Sequence, residues 1–259
     1  MNPGRVLAIA SNAFRETIRD RVLLLVGFFV VLLAIGNYLL PNLAATEGYK
    51  IVLDASLGAI HLFSLVIAVF VGTSLIRKEV EKRTIFTLVS KPLSRAEFLL
   101  GKHLGLGAVL GVLLGLMTAC FLILYLGTFK GLDLSLPGLL TAICFSYVEL
   151  LLIVAAALFF GSFTSSVLAT LFTFSLYLAG HFSQSLLQLG ALSKNEFVQN
   201  LTRVAYVILP DLERFNLREG AAFGLLPAPW EMAGTLVYGF FYIAFLLSAA
   251  HLLFARREF

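Results

Sequence analysis

Residues 77–102 read RKEVEKRTIFTLVSKPLSRAEFLLGK, and ten of these side chains are charged (Arg77, Lys78, Glu79, Glu81, Lys82, Arg83, Lys91, Arg95, Glu97 and Lys102). The whole chain of 259 residues holds only 19 lysines and arginines and 15 acids. On either side of this segment the sequence is apolar. Hydrophobic residues make up 59% of the chain and charged ones 13%, about half of what soluble domains carry, and the mean hydropathy is +0.95. Apolar runs of about 18 residues or more read as membrane-spanning helices, because a hydrocarbon core of about 30 Å needs about 20 residues at 1.5 Å each. Only helices and closed barrels satisfy their backbone groups in lipid, and these runs are too continuous for barrel strands. The expected fold class is therefore an all-α integral membrane protein, with residues 1–259 forming one transmembrane domain.

Six spans are expected: Val22–Leu40, Leu57–Ile76, Leu104–Leu126, Gly138–Phe160, Val167–Leu189 and Met232–Phe254. Lysine and arginine orient them. With the N-terminus inside, thirteen basic residues face the cytoplasm, seven of them in the Arg77–Lys102 loop, and six face outward. The positive-inside bias puts both termini and the quoted loop in the cytoplasm. The first 21 residues lack the features of a cleaved signal, since they contain Glu16 and Asp20 and run into a full-length span. Within them Val6, Ile9, Ala10, Ala13, Phe14, Thr17 and Ile18 share one face and Arg5, Arg15, Glu16 and Arg19 the other. That pattern describes an amphipathic helix at the inner membrane interface, either a topology anchor or a contact element. Residues 190–231 are too long for a plain connection. Phe197–Leu209 reads as helical and Pro210, Pro227 and Pro229 punctuate the rest, so a folded extracytoplasmic cap of one or two short helices is expected.

The chain lacks sequence signatures of an engine. No GxxxxGK[ST] loop, HExxH, GxSxG or paired-cysteine motif occurs. The glycines of LGLGAVLGVLLG sit within a span and suit close helix packing. No catalytic residue and no metal site is expected. The histidines His61, His103, His181 and His251 are scattered over different spans, Cys120 and Cys144 lie inside apolar runs as packing residues, and Met1, Met117 and Met232 form no cluster with them. A formal charge of +4 concentrated at membrane boundaries gives no reason to expect nucleic acid.

Two features inside the spans stand out. Ser166, Thr170, Thr173, Tyr177, His181, Gln184 and Gln188 recur at steps of three and four, one polar stripe along the fifth span. It is either a hydrogen-bonded seam against a neighbouring helix or a translocation path at a subunit interface. Glu149 sits in mid-span, where an ionised carboxylate is costly, so it needs a proton or a buried partner. The sequence shows no other charge near it, which favours a structural role.

Read as a helix, the quoted segment puts Val80, Thr84 and Leu88 on one face and stops at Lys91-Pro92, since the residue before a proline leaves the helical region. Ser94 then caps a new helix, with Glu97 completing a capping box. The pattern Glu81-x-Arg83-Thr84-Ile85-x-x-Leu88-Val89-x-x-Pro92-Leu93-Ser94-Arg95-x-Glu97, closing on Gly101-Lys102, resembles the cytoplasmic segment of ABC-2 type permeases, the membrane subunits of ATP-binding-cassette exporters. Many members carry Gly-Thr where this chain has Arg83-Thr84. LPDLERFNLREG (Leu209–Gly220) and the terminal ARREF resemble a branch of that family associated with copper-enzyme maturation, as in nitrous oxide reductase assembly.

The resemblance implies a multi-pass protein of a bacterial or archaeal cytoplasmic membrane. It implies two permease copies, a homodimer, working with two copies of an ABC ATPase that bind ATP and Mg, with no cofactor in this chain. Residues 77–102 become the coupling segment, with Glu79, Glu81, Arg83, Thr84, Phe86, Leu88, Pro92 and Arg95 as the ATPase-coupling residues. Spans two and five would line the path and the dimer interface, through His61, Ser64, Thr170, Thr173, Tyr177, His181, Gln184 and Gln188. Two other functions stay open: an energy-coupled scaffold acting on a periplasmic partner through the outer loop, and an intramembrane hydrolase using Glu149 with His181 or His61.

Overall fold

The computed structural model describes residues 2–19, 23–43, 48–81, 94–129 and 135–256. Among them every regular element is helical: α1 (Pro3–Thr17), α2 (Leu23–Leu43), α3 (Gly48–Glu81), α4 (Arg95–Thr128), α5 (Leu136–Phe163), α6 (Ser166–His181), α7 (Ser183–Leu192), α8 (Glu196–Ile208), a 3₁₀ turn at Glu213–Phe215, α9 (Arg218–Phe223) and α10 (Pro229–Arg256).

Capping chemistry explains where these helices begin. At α4 the Ser94 hydroxyl accepts from the Glu97 backbone N–H while the Glu97 carboxylate accepts from the Ser94 N–H, the reciprocal capping box expected from the sequence. Ser135 Oγ accepts from Gly138 N at the start of α5, with Pro137 in the first turn, where its missing N–H costs nothing. Asn2 Oδ1 accepts from Gly4 N ahead of Pro3 in α1.

Among the described residues four helices are long and apolar enough to cross a membrane: Tyr49–Leu75 of α3, Arg95–Thr128, Leu136–Phe163 and Pro229–Leu253 of α10. A fifth crossing exists if α6 and α7 are taken together, but they meet at a bend of 55°. The continuous fifth span expected over Val167–Leu189 is therefore broken at His181–Phe182. Leu24–Leu39 of α2 is apolar but shorter than the other spans.

Helix α5 is the centre of the bundle. Every residue from Leu152 to Leu158 is buried, and α3, α4, α6, α9 and α10 all pack on it. Its small residues let α3 come close: a Cβ built on Gly72 would sit 2.8 Å from Ala157 Cβ. The large apolar side chains left exposed, such as Phe28, Val31 and Ile35 on α2 and Val237, Phe240 and Phe241 on α10, are what lipid-facing helices need.

The amphipathic α1 packs on the bundle. Its apolar face, with Val6 and Ala13 buried, docks on the first turns of α4. Gly101 and Gly105 make the groove. A Cβ at Gly101 would lie 2.7 Å from Ile9 Cβ, and one at Gly105 would lie 2.6 Å from the Ala10 carbonyl. Glu97 Oε1 also accepts from Asn2 N at 2.7 Å, so one carboxylate closes the starts of two helices. Lys102, 2% exposed at its side chain, reaches Glu16 at 3.7 Å and lies over the Phe98 ring. The glycines of α4 thus do serve close packing, although Gly115 has open space around it.

Of the coupling residues, Arg83, Thr84, Phe86, Leu88 and Pro92 lie outside the described residues. Glu79 and Glu81 belong to the backbone of α3, which runs to Glu81 without a break. Arg95 opens α4 and is exposed.

Candidate functional site

The polar stripe of α6 turns inward and meets polar groups from three other parts of the chain. Thr170 Oγ1 lies 2.9 Å from Thr73 Oγ1 of α3. Thr173 is buried and returns its hydroxyl to the Ala169 carbonyl. Tyr177 Oη is 3.3 Å from His61 Nε2, with the two rings stacked. His181 Nε2 is 2.9 Å from Glu149 Oε1 of α5. Past the bend, Gln184 donates to Asp211 Oδ2 at 2.9 Å, while Gln188 is exposed. Five of the seven stripe residues are thus on or near a seam, and the bend after His181 separates the last two of the stripe from the rest. Ser64, one turn from His61, is fully buried.

Glu149 is the hub. It is 1% exposed, and its Oε1 faces His61 Nε2 at 3.5 Å as well as His181. The expectation that no other ionisable group lies near Glu149 is therefore corrected: its partners come from α3 and α6, far away in sequence. The ligand atoms of His61, Glu149 and His181 all lie within 4.8 Å of one another. The histidines expected to be scattered thus contribute two members to one buried cluster. His103 and His251 are not in it; His103 Nε2 instead meets the Leu151 carbonyl at 3.0 Å. Cys120 and Cys144 are unpaired, and Cys144 is exposed on α5 instead of packed.

The stretch between α8 and α9 closes the cluster from one end of the bundle. Pro210, Asp211, Leu212, Phe215 and Leu217 are all buried. Leu212 N donates to the Gly180 carbonyl at 3.3 Å, and its side chain fills the space a Cβ on Gly180 would need. Phe215 packs against Gly239 of α10 in the same way. Glu213 then reaches His181 Nδ1 at 3.0 Å and accepts from the Asn216 amide. The His181 contact holds the Glu213 carboxyl below the usual glutamate range; partial burial opposes this and the Asn216 amide assists it.

Asp211 organises the stretch. Its Oδ2 accepts from Arg214 Nε at 2.7 Å, Gln184 Nε2 and Tyr206 Oη, and its N–H donates to Tyr238 Oη. The Arg214 guanidinium lies over the Tyr238 ring, and its bond to Asp211 pushes its proton affinity further up. Asp211, Glu213 and Arg214 were not expected as site residues. The available signal was an unusual density of charge, PDLER, inside an otherwise apolar chain.

An apolar helical bundle with a folded helical cap, a buried polar seam and one strongly charged connection defines the class: a multi-pass membrane protein whose polar groups face inward. A family profile described as ABC-2 family transporter protein matches residues 7–213. The chain belongs to that family of transporter membrane components, a permease partnered by an ABC ATPase. A comparison with curated proteins gives no match.

Proposed function

We propose that this chain is the membrane subunit of an ABC exporter in a bacterial or archaeal cytoplasmic membrane. It acts as a homodimer with two ATPase subunits that bind ATP and Mg. Six spans, α2 included and α6 with α7 as the fifth, carry the N- and C-termini and residues 77–102 on the cytoplasmic side, and the cap of α8 and α9 lies outside. ATP-driven closure of the ATPase pair pushes on residues 77–102. Glu79, Glu81, Arg83 and Arg95 set the register of that contact, and Phe86 and Leu88 fill a groove of the ATPase, with Thr84 and Pro92 shaping the segment. The thrust enters α3 and α4 directly, because the segment joins them. Through α3 it reaches α6 by the Thr73–Thr170 and His61–Tyr177 contacts.

The observation that carries this reading is the family match over residues 7–213, in a sequence with no nucleotide-binding loop of its own. The test is Arg83→Glu in the complex co-purified with its ATPase and reconstituted in liposomes. Substrate-stimulated ATP hydrolysis should be lost while the helical circular dichroism of the chain stays unchanged. Undiminished coupling would sink the assignment.

A second reading has one observation in its favour. The cap is built and cross-braced by Asp211, and α8 leaves Phe197, Leu201, Val204, Val207 and Ile208 exposed. Such a cap suits an energy-coupled scaffold that works on a periplasmic partner through the outer loop. Full assembly and ATP turnover with no cargo flux into vesicles would favour it.

A further inference from the structure

Hydrogen-bond accounting around His181 leaves one of its two carboxylate contacts unserved by a neutral ring. His181 presents Nδ1 to the Glu213 carboxylate at 3.0 Å and Nε2 to the Glu149 carboxylate at 2.9 Å. A neutral imidazole has one N–H, so it can serve only one of the two. If Nδ1–H donates to Glu213, the Nε2 lone pair faces the lone pairs of Glu149. His61 differs, because only one of its ring nitrogens meets polar groups, Glu149 and Tyr177. Its Nε2 points at the same Glu149 oxygen from 3.5 Å, and its buried Nδ1 has no hydrogen-bond partner among the described residues. Among the described residues, the acids Glu149 and Glu213 stand with the guanidinium of Arg218, which lies beside Gly58, one turn of α3 from His61. With a neutral His181 ring, one carboxylate contact would set lone pair against lone pair.

We propose that His61 Nε2, His181 Nε2 and Glu149 Oε1 bind one divalent transition-metal ion of the zinc class. Four lines of geometry support the assignment. Two imidazoles and one carboxylate are the donor set that zinc accepts with a further position left open. A tetrahedral ion with bonds of about 2.0–2.1 Å sets its ligand atoms roughly 3.3 Å apart, and the 2.9 and 3.5 Å separations bracket that value. The Glu213–His181 contact is the outer carboxylate–histidine pairing that fixes the ring of a metal-bound histidine and leaves Nε2 free to coordinate. Tyr177 Oη, 3.3 Å from His61 Nε2, offers an oxygen on the rim of the same site. An ion there ties α3, α5 and the last turn of α6 together just before the bend, and Glu213 ties the cap to the same point. Magnesium and calcium do not suit the site, since they take mainly oxygen ligands.

The test uses the full chain without an affinity tag, in lipid nanodiscs, stripped with chelator and reloaded. Zinc should be retained through desalting at about one ion per chain. Cobalt should give the intense visible absorption of a four-coordinate centre, bleached by zinc and untouched by excess magnesium. Glu149→Gln and His61→Gln should each abolish retention. Glu213→Gln should weaken it about 10- to 100-fold, the range seen for outer-shell partners. The double change Cys120→Ala with Cys144→Ala should leave it intact. Wild-type protein that retains no zinc and shows no such cobalt spectrum overturns the proposal, whether or not the variants fold. Equal retention by Glu149→Gln also overturns it. Nitrogen-15 spectra showing His181 as a doubly protonated imidazolium in zinc-saturated protein would do the same, because each N–H would then serve one carboxylate and Nε2 would have no lone pair for an ion. No step needs the ATPase, so failure here leaves the transporter assignment standing.

Discussion

Two of the places where the described residues bury charge are built in different ways. Where α1 meets α4, the charged groups are near the helix ends and satisfy them: Glu97 caps α4 and receives Asn2, and Lys102 leans on Glu16. Where α6 bends, Glu149 is in mid-helix with every backbone group around it already paired. It therefore draws its partners from α3 and α6, and through His181 from the cap. The first arrangement spends charge on helix geometry that would otherwise go unsatisfied. The second gathers charge that no secondary structure requires, and this contrast marks it as the functional candidate.

That difference can be broken by substitution. The largest effect is expected for Glu149→Ala, which strips a buried ionic cluster of its common partner and should cost about 3–5 kcal/mol. The readout is the thermal unfolding of purified protein in detergent, and a loss below about 1 kcal/mol would reduce the cluster to an ordinary seam. Asp211→Ala should cost about 1.5–3 kcal/mol by removing charge-assisted bonds to Arg214, Gln184 and Tyr206. Its signature is faster hydrogen exchange across residues 206–217, with α1 unaffected.

At the other end, Gly105→Leu forces a side chain into the Ala10 carbonyl. It should cost about 1–3 kcal/mol and release α1 to proteolysis while the Glu149 cluster keeps its protection. Loss of protection at both ends would show that they are one cooperative unit. The smallest change is expected for Ser94→Ala, about 1 kcal/mol from the lost cap. It should sharpen the contrast by fraying only the first turn of α4, seen as raised amide exchange at Glu97 and Phe98.

Much of this architecture was readable along the chain. The capping box at Ser94–Glu97 needed only four consecutive residues, and the stripe on α6 needed only helical periodicity. The charge of residues 77–102 needed only counting. The cluster was not readable, because Tyr177 and His61 are 116 positions apart and His181 and Glu149 are 32 apart. Nothing local distinguishes a histidine that meets a carboxylate from one that meets a carbonyl, as His103 does. The bend after His181 was also hidden. Ser166 to Gln188 keeps its periodicity straight through the break, and the break is filled by Leu212 from the cap, against Gly180.

The amino-acid order alone determined that this chain must cross a membrane as helices, where its charged connection falls and how α4 starts. These follow from the cost of bare backbone in lipid and from neighbours within one helical turn. Only the packed structure decided which polar groups share a site. Buried charges find partners according to how helices lie against one another, and that arrangement is set by glycine and alanine contacts spread over the whole bundle.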